Sequence, residues 1–314
     1  MRRAKALRLT AWALVAAGVA APAVRRRIGL PRPVVAVAAW SAPPALCVVL
    51  PRTRTRDIAV CVLQMWAYLA MYEMPNDDPE ELKRRVRVDY PVLVDRMLGR
   101  GELPGVRLQR RFAQPAAIRR PEKLLVWAHW VWFLVPHGTV IYVLARHRDQ
   151  LPRAAAQIYA TFDLGVACYW LVPTAPPWYA AQEGRMGSQE AGSETPLRRM
   201  MLDYGQQFWG KRWPQLYDAL AGNPLAAMPS LHFATSVMAA HVLSDAGVTE
   251  GTLAWIYTGT LGFALVYLGE HYVVDLIAGL ALAEGVRRAA PIAAPAAVAF
   301  GRVVQQLERR ALPG

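Results

Sequence analysis

The sequence predicts an all-α, integral-membrane helical bundle, and three observations carry that prediction. Residues of the set AVILMFWYC make up 54% of the 314-residue chain and only 19% are charged, against roughly 45–50% and about 25% in soluble domains. Apolar runs close to the ~20 residues needed to cross a bilayer recur along the chain. The polar stretches between them are rich in arginine and aromatic residues, which suit the headgroup region. This composition excludes a disordered chain, and the lack of a Gly or Pro period excludes a collagen-like one. Cys47, Cys61 and Cys168 all lie in apolar runs and form no disulfide framework. A formal charge of +13 points to anionic partners, phospholipid headgroups or phosphorylated substrates ahead of nucleic acid.

Two N-terminal segments come first, 7–24 and 34–50. The basic start and Ala-rich centre of 1–23 imitate a signal peptide, but the flank Arg25-Arg26-Arg27 reads as a membrane boundary. An uncleaved first helix is therefore expected. Pro43 and Pro44 predict a kink in the second, which a bundle can absorb. Segment 58–74 then opens a six-helix set completed by 124–146, 154–173, 231–243 (extending to about 247), 252–269 and 273–286. Two polar segments interrupt it. Segment 75–123 carries 12 Lys and Arg, and reads either as a solvated, partly helical loop or as an interfacial helix on lipid phosphates. Segment 174–228 carries Trp178, Tyr179, Phe208, Trp209, Trp213 and Tyr217, aromatics of the membrane–water boundary. After 289 the chain is Ala/Pro-rich and then basic, a last hairpin or a surface-lying tail. The expected organisation is N-terminal spans over 1–56, a catalytic core over 57–289 with interfacial loops 75–123 and 174–228, and a basic tail over 290–314.

The chemistry concentrates at two histidines. In Met228-Pro229-Ser230-Leu231-His232, Pro229-Ser230 reads as a helix start with Ser230 as cap. His232 then falls in the first turn, beside exposed N–H groups that favour a phosphate. In His271-Tyr272-Val273-Val274-Asp275, a helix beginning at His271 would put His271 and Asp275 on one face. The carboxylate fixes one ring nitrogen's proton and frees the other as a nucleophile. Either site alone has a structural reading, a capping turn or a buried ion pair. Together they open two spans separated by a single excursion through 244–251, so all three side chains emerge at one membrane face. Segment 173–179 ends a span at that face too.

The pattern Pro229-Ser230-Leu231-His232 followed by His271-x-x-x-Asp275 resembles the type 2 phosphatidic acid phosphatase superfamily. Pro173-Thr174-Ala175-Pro176-Pro177-Trp178-Tyr179 and Ala227-Met228 are similar to its inositol phosphorylceramide synthase branch and bacterial relatives. The resemblance covers 173–279 and, less specifically, reaches back to 58. It implies a six-helix bundle acting on phosphoester lipids with no metal and no cofactor. By resemblance His271 matches the nucleophile that forms a phosphohistidine, Asp275 its orienting carboxylate, and His232 the acid that protonates the leaving oxygen. The chain departs from the broader family in its cations. No Lys…Arg-Pro motif precedes the first histidine, and Leu265 stands where an arginine is expected six residues before the nucleophile. Glu270 would repel phosphate unless it turns away to hold a neighbouring group. Replacement cations must come from the polar segments, with Arg185, Arg198, Arg199, Lys211 and Arg212 available in 174–228. Ser230, Arg185, Lys211, Arg212, His137 and Tyr179 are the candidate phosphate or headgroup contacts. His129, Asp163, His241 and Asp245 read first as structural.

The expected activity is a lipid phosphotransferase moving a phosphoryl-headgroup to an alcohol, with a phospholipid or polyprenyl phosphoester as substrate and water as the alternative acceptor. A non-catalytic lipid or anion transporter and a zinc site are the competing readings; no inverted repeat favours the first and no clustered ligand pair the second. With eight spans, 21 Lys and Arg lie on the active-site face and 15 on the other. The short flanks favour the second face as cytoplasmic and the large loop the first. The resemblance places the active site on the non-cytoplasmic face of a bacterial-type plasma membrane.

Overall fold

The structure is a computed structural model that describes residues 2–114, 117–186, 197–220 and 222–312, with the backbone alone at 218–220. Among the described residues all regular structure is helical, apart from isolated bridges that join Arg87 to Thr174, Thr174 to Ala226 and Gln114 to Ala117. Contacts divide the chain into two compact units, Met1–Asp77 with Arg288–Gly314, and Asp78–Arg287. The helix expected at 58–74 thus groups with the two N-terminal segments.

The first unit contains α1 (Arg2–Ile28), α2 (Arg32–Val49) and α3 (Arg54–Glu73). All three are long and apolar enough to cross a membrane. Thr53 caps α3 by accepting from Arg56 N at 3.2 Å, and α2 runs on through Pro43 and Pro44. At one end the buried Arg25 guanidinium bonds Asp77 (2.8 Å) and Glu73 (3.1 Å). At the other, Glu308 receives Arg56 at 2.8 Å and Arg52 at 3.1 Å.

The second unit opens with α4 (Pro79–Arg85), α5 (Asp89–Leu98) and α6 (Pro104–Phe112). The polar segment 75–123 is therefore a set of short helices, two of them started by a proline whose missing N–H costs nothing at that position. Then follow α7 (Arg120–Trp130) and α8 (Leu134–Arg146), bent by 56°. The single span expected over 124–146 is broken here, because Pro136 has no N–H for the carbonyl four residues back. After them come α9 (Leu151–Leu171), α10 (Pro177–Gln182), α11 (Met200–Trp209) and α12 (Trp213–Leu220). Part of the 174–228 loop, 187–196, lies outside the described residues.

The bundle closes with α13 (Leu231–Ala246), α14 (Val248–Tyr267) and α15 (Val273–Ala311). Helix α13 packs against α8, α9 and α14, and Ala234, Val237, Met238, Ala239 and Ala240 have no exposed surface. Protein surrounds it, so its small side chains serve close packing. Helix α15 corrects the expected tail: it continues unbroken, with Pro291 and Pro295 inside it. Their missing donors fall one turn apart on one face, and the surrounding alanines are the best helix formers. Its last turns place Ala311, Val304 and Leu307 in the core of the first unit with Ala11, Ala45 and Leu46.

Two contacts fix where α15 begins. A Cβ on Gly279 would lie 2.7 Å from the Ser230 carbonyl oxygen, so only glycine allows this approach to the start of α13. Buried Asp95 of α5 accepts from Val274 N at 3.0 Å, and burial pushes its carboxyl up to about 6.

Gly279→Ala is expected to cost about 1–3 kcal/mol by forcing these backbones apart. Thermal unfolding in detergent should show it, while Gly285→Ala, whose Cβ meets nothing within 4 Å, should not. Because the folded-state value of Asp95 is raised, its favourable contribution is complete below about pH 4 and is lost as pH rises through about 6. Asp95→Asn keeps the acceptor and removes the titration. Its stability should therefore improve relative to the parent by about 2 kcal/mol between pH 4 and pH 7; a difference that stays flat with pH would contradict this.

Candidate active site

Two helix starts and one tight turn build the site. Ser230 Oγ accepts from Phe233 N at 3.3 Å and caps α13, which sets His232 in the first turn. At the other side α14 ends at Tyr267, and Gly269 takes a left-handed φ of 82°. The N–H groups of Glu270 and His271 then both reach back to the Leu265 carbonyl at 3.0 Å. The helix after this turn starts at Val273, two residues later than the His271 start considered from sequence. His271 therefore sits in the turn itself, and Asp275 in the first turn of α15.

Asp275 has no exposed surface and His271 is 6% exposed. Asp275 Oδ2 is 3.1 Å from His271 Nδ1 and accepts from Tyr272 N at 2.9 Å. An ionised carboxylate only accepts, which assigns the Nδ1 proton to His271 and leaves the Nε2 lone pair free. That Nε2 lies 3.2 Å from His232 Nδ1. Ser230 N donates to the Asp275 carbonyl at 2.9 Å, so the two helix starts are bonded directly. The arrangement sets a ring nitrogen, with a carboxylate behind it, against a second imidazole.

The His232 ring is flanked by Trp132, with centroids 4.1 Å apart, and by His129 at 4.7 Å. Trp132 Nε1 is held by Thr235 Oγ1 at 3.0 Å. His129 was read from sequence as structural, and the structure brings it to the centre with its Nδ1 buried and unpartnered among the described residues. Its signal was a histidine in an apolar run, which by itself has no direction; the bend after Trp130 supplies one.

The remaining candidates are scattered. Ser230 is fully buried and its hydroxyl is used as the cap. His137 bonds the Phe133 carbonyl at 2.7 Å and connects to His232 through ring contacts with Phe162 and Trp132. Arg185 pairs with Asp89 at 2.5 Å and, with Tyr179, lines a polar groove of about 750 Å³ that also includes Lys83, Arg87 and Tyr90. Lys211 and Arg212 are exposed on a short 3-10 turn between α11 and α12. Arg198 is occupied by Asp203 and the carbonyls of Gln114 and Ala117.

Arg199 differs. Its Nε and Nη2 bond the two oxygens of Glu270 at 2.9 and 3.1 Å, and its guanidinium lies 4.0 Å over the Trp178 ring. Glu270 thus turns to a neighbouring cation. Burial works against the charge of Arg199, yet the Glu270 carboxylate raises its affinity for the proton above the ordinary arginine value. Away from the centre, His241 bonds Glu284 at 2.6 Å and Asp245 lies 3.6 Å from Arg153. Among the described residues no group of three or more His, Cys, Asp or Glu is arranged to hold a metal ion.

Comparison with known proteins agrees with this geometry at the level of family. A phosphoinositol dihydroceramide synthase of Bacteroides thetaiotaomicron is 28% identical over 160 residues, which is 49% of this chain and 50% of that protein. The chain thus matches about half the length of this curated relative. No solved structure matches. The PAP2 superfamily model matches residues 114–287, more than half of the chain and including His232, His271 and Asp275, and with three helices long and apolar enough to cross a membrane the chain is an integral-membrane member of the PAP2 superfamily.

Proposed function

We propose that this chain is a lipid phosphotransferase working through a phosphohistidine. His271 Nε2 attacks the phosphorus of a lipid phosphoester. The P–O bond to the lipid alcohol breaks, and protonated His232 gives its Nδ1 proton to the departing oxygen. Asp275 stabilises the positive charge left on the phosphorylated ring. An acceptor alcohol then attacks, His232 takes its proton, and the P–N bond breaks to restore His271. Water in place of the alcohol gives hydrolysis by the same atoms.

The supporting observation is the facing of His271 Nε2 and His232 Nδ1 at 3.2 Å, with Asp275 behind the first. At that distance there is no room for phosphorus between them, so substrate entry swings one ring aside. The name of the Bacteroides relative, phosphoinositol dihydroceramide synthase, supports transfer over hydrolysis. Charge distribution in the flanks is compatible with a site on the non-cytoplasmic face of a bacterial plasma membrane.

Incubation with lipid phosphoester labelled at phosphorus should trap acid-labile, base-stable label, and His271→Ala should abolish it. Label persisting in that variant would remove His271 as nucleophile. His232→Ala should slow turnover of a lipid alkoxide donor by about 10²–10⁴-fold. With an aryl phosphoester, whose leaving group needs no proton, the loss should shrink to a small factor; equal losses on both donors would exclude the acid role. Turnover should be unchanged by EDTA, and inhibition reversed by added zinc would favour a metal mechanism.

A further inference from the structure

A phosphoryl group arriving at His271 brings negative charge, and its transfer is catalysed chiefly by positioning and by charge that meets its oxygens. The side chains nearest His271 in sequence are of the wrong sign. Asp275 stands behind the ring and Glu270 precedes it. Arg199, at the N-terminal end of α11, pairs with Glu270, the residue next to His271. Its side chain is 14% exposed. Trp178 covers one face of the guanidinium at 4.0 Å, Tyr217 lies 5.3 Å from it, and Glu270 takes two of its donors.

Resting on the reading of His271 as nucleophile, we propose that Arg199 is the phosphate-binding cation of this site, exchanging its Glu270 partner for the oxyanion of a phosphate mono- or diester at His271. Carboxylate and phosphate present the same two-oxygen edge to a guanidinium fork. Trp178 holds the plane of that fork, so the exchange moves Glu270 and leaves Arg199 in place. Glu270 keeps a buried cation paired while the site is empty, where an unpaired one would be strongly unfavourable. This also gives the aromatic end of segment 173–179 a physical role as the platform beneath the arginine.

A purely structural ion pair and an exchangeable one respond oppositely to loss of the acid. The test titrates inorganic phosphate into the detergent-solubilised full-length chain by calorimetry, in the parent and in the His271→Ala background. Arg199→Ala should weaken phosphate binding about 10–100-fold, the worth of one or two charge-assisted hydrogen bonds. Arg199→Lys should fall between, and Glu270→Gln, which removes the competitor, should tighten binding about threefold or more. Unchanged affinity in Arg199→Ala with a parent-like thermal transition overturns the proposal. So does Glu270→Gln weakening phosphate as much as Arg199→Lys does, a comparison that holds even where the alanine variant fails to fold. The nucleophile is scored separately by label trapping. Arg199-dependent affinity without label at His271 leaves the anion site and removes the nucleophile; label at His271 with Arg199-independent affinity does the reverse.

Discussion

One carboxylate organises the centre. Asp275 Oδ2 meets both His271 Nδ1 and the Tyr272 N–H, while the carbonyl of the same residue receives Ser230 N. The orientation of the imidazole, the start of α15 and the spacing between α13 and α15 are therefore one hydrogen-bonded unit with no exposed surface at its heart. Asp275 Oδ1 is buried with no hydrogen-bond partner among the described residues, so the unit rests on Oδ2 and the backbone carbonyl, and loss of either loosens it. Asp95 extends the unit outward by engaging a further backbone donor two residues on, Val274 N.

Two helices begin at this point, so their positive dipole ends converge on it. That convergence sets positive partial charge against the acidic side chains Asp95, Glu270 and Asp275. Aromatic rings form the remaining wall. Trp132 lies against His232 and Trp178 against Arg199, and such apolar cover strengthens the electrostatic contacts beside it.

Much of this was legible in the chain because it depends on local spacing. The Pro229-Ser230 helix start and the four-residue interval between His271 and Asp275 are short-range features, and both return in the geometry. What was not legible depends on direction or on distant partners. His129 joins the centre because α7 and α8 bend by 56°. The pairing of Arg199 with Glu270 joins residues 71 positions apart, and nothing in the composition of 174–228 separates Arg199 from Arg198 or Lys211. The run of α15 through two prolines went unread because their spacing, which puts both missing donors on one side, matters more than their number.

The shortness of α13 has a consequence for the depth of the turn where it begins. Its 16 residues rise about 24 Å, less than the ~30 Å depth of bilayer hydrocarbon. In a bilayer of that depth the turn at His232 and the loop at the far end of the helix cannot both lie level with the hydrocarbon surfaces. Whichever end is recessed is walled by protein, because α8, α9 and α14 pack around the helix.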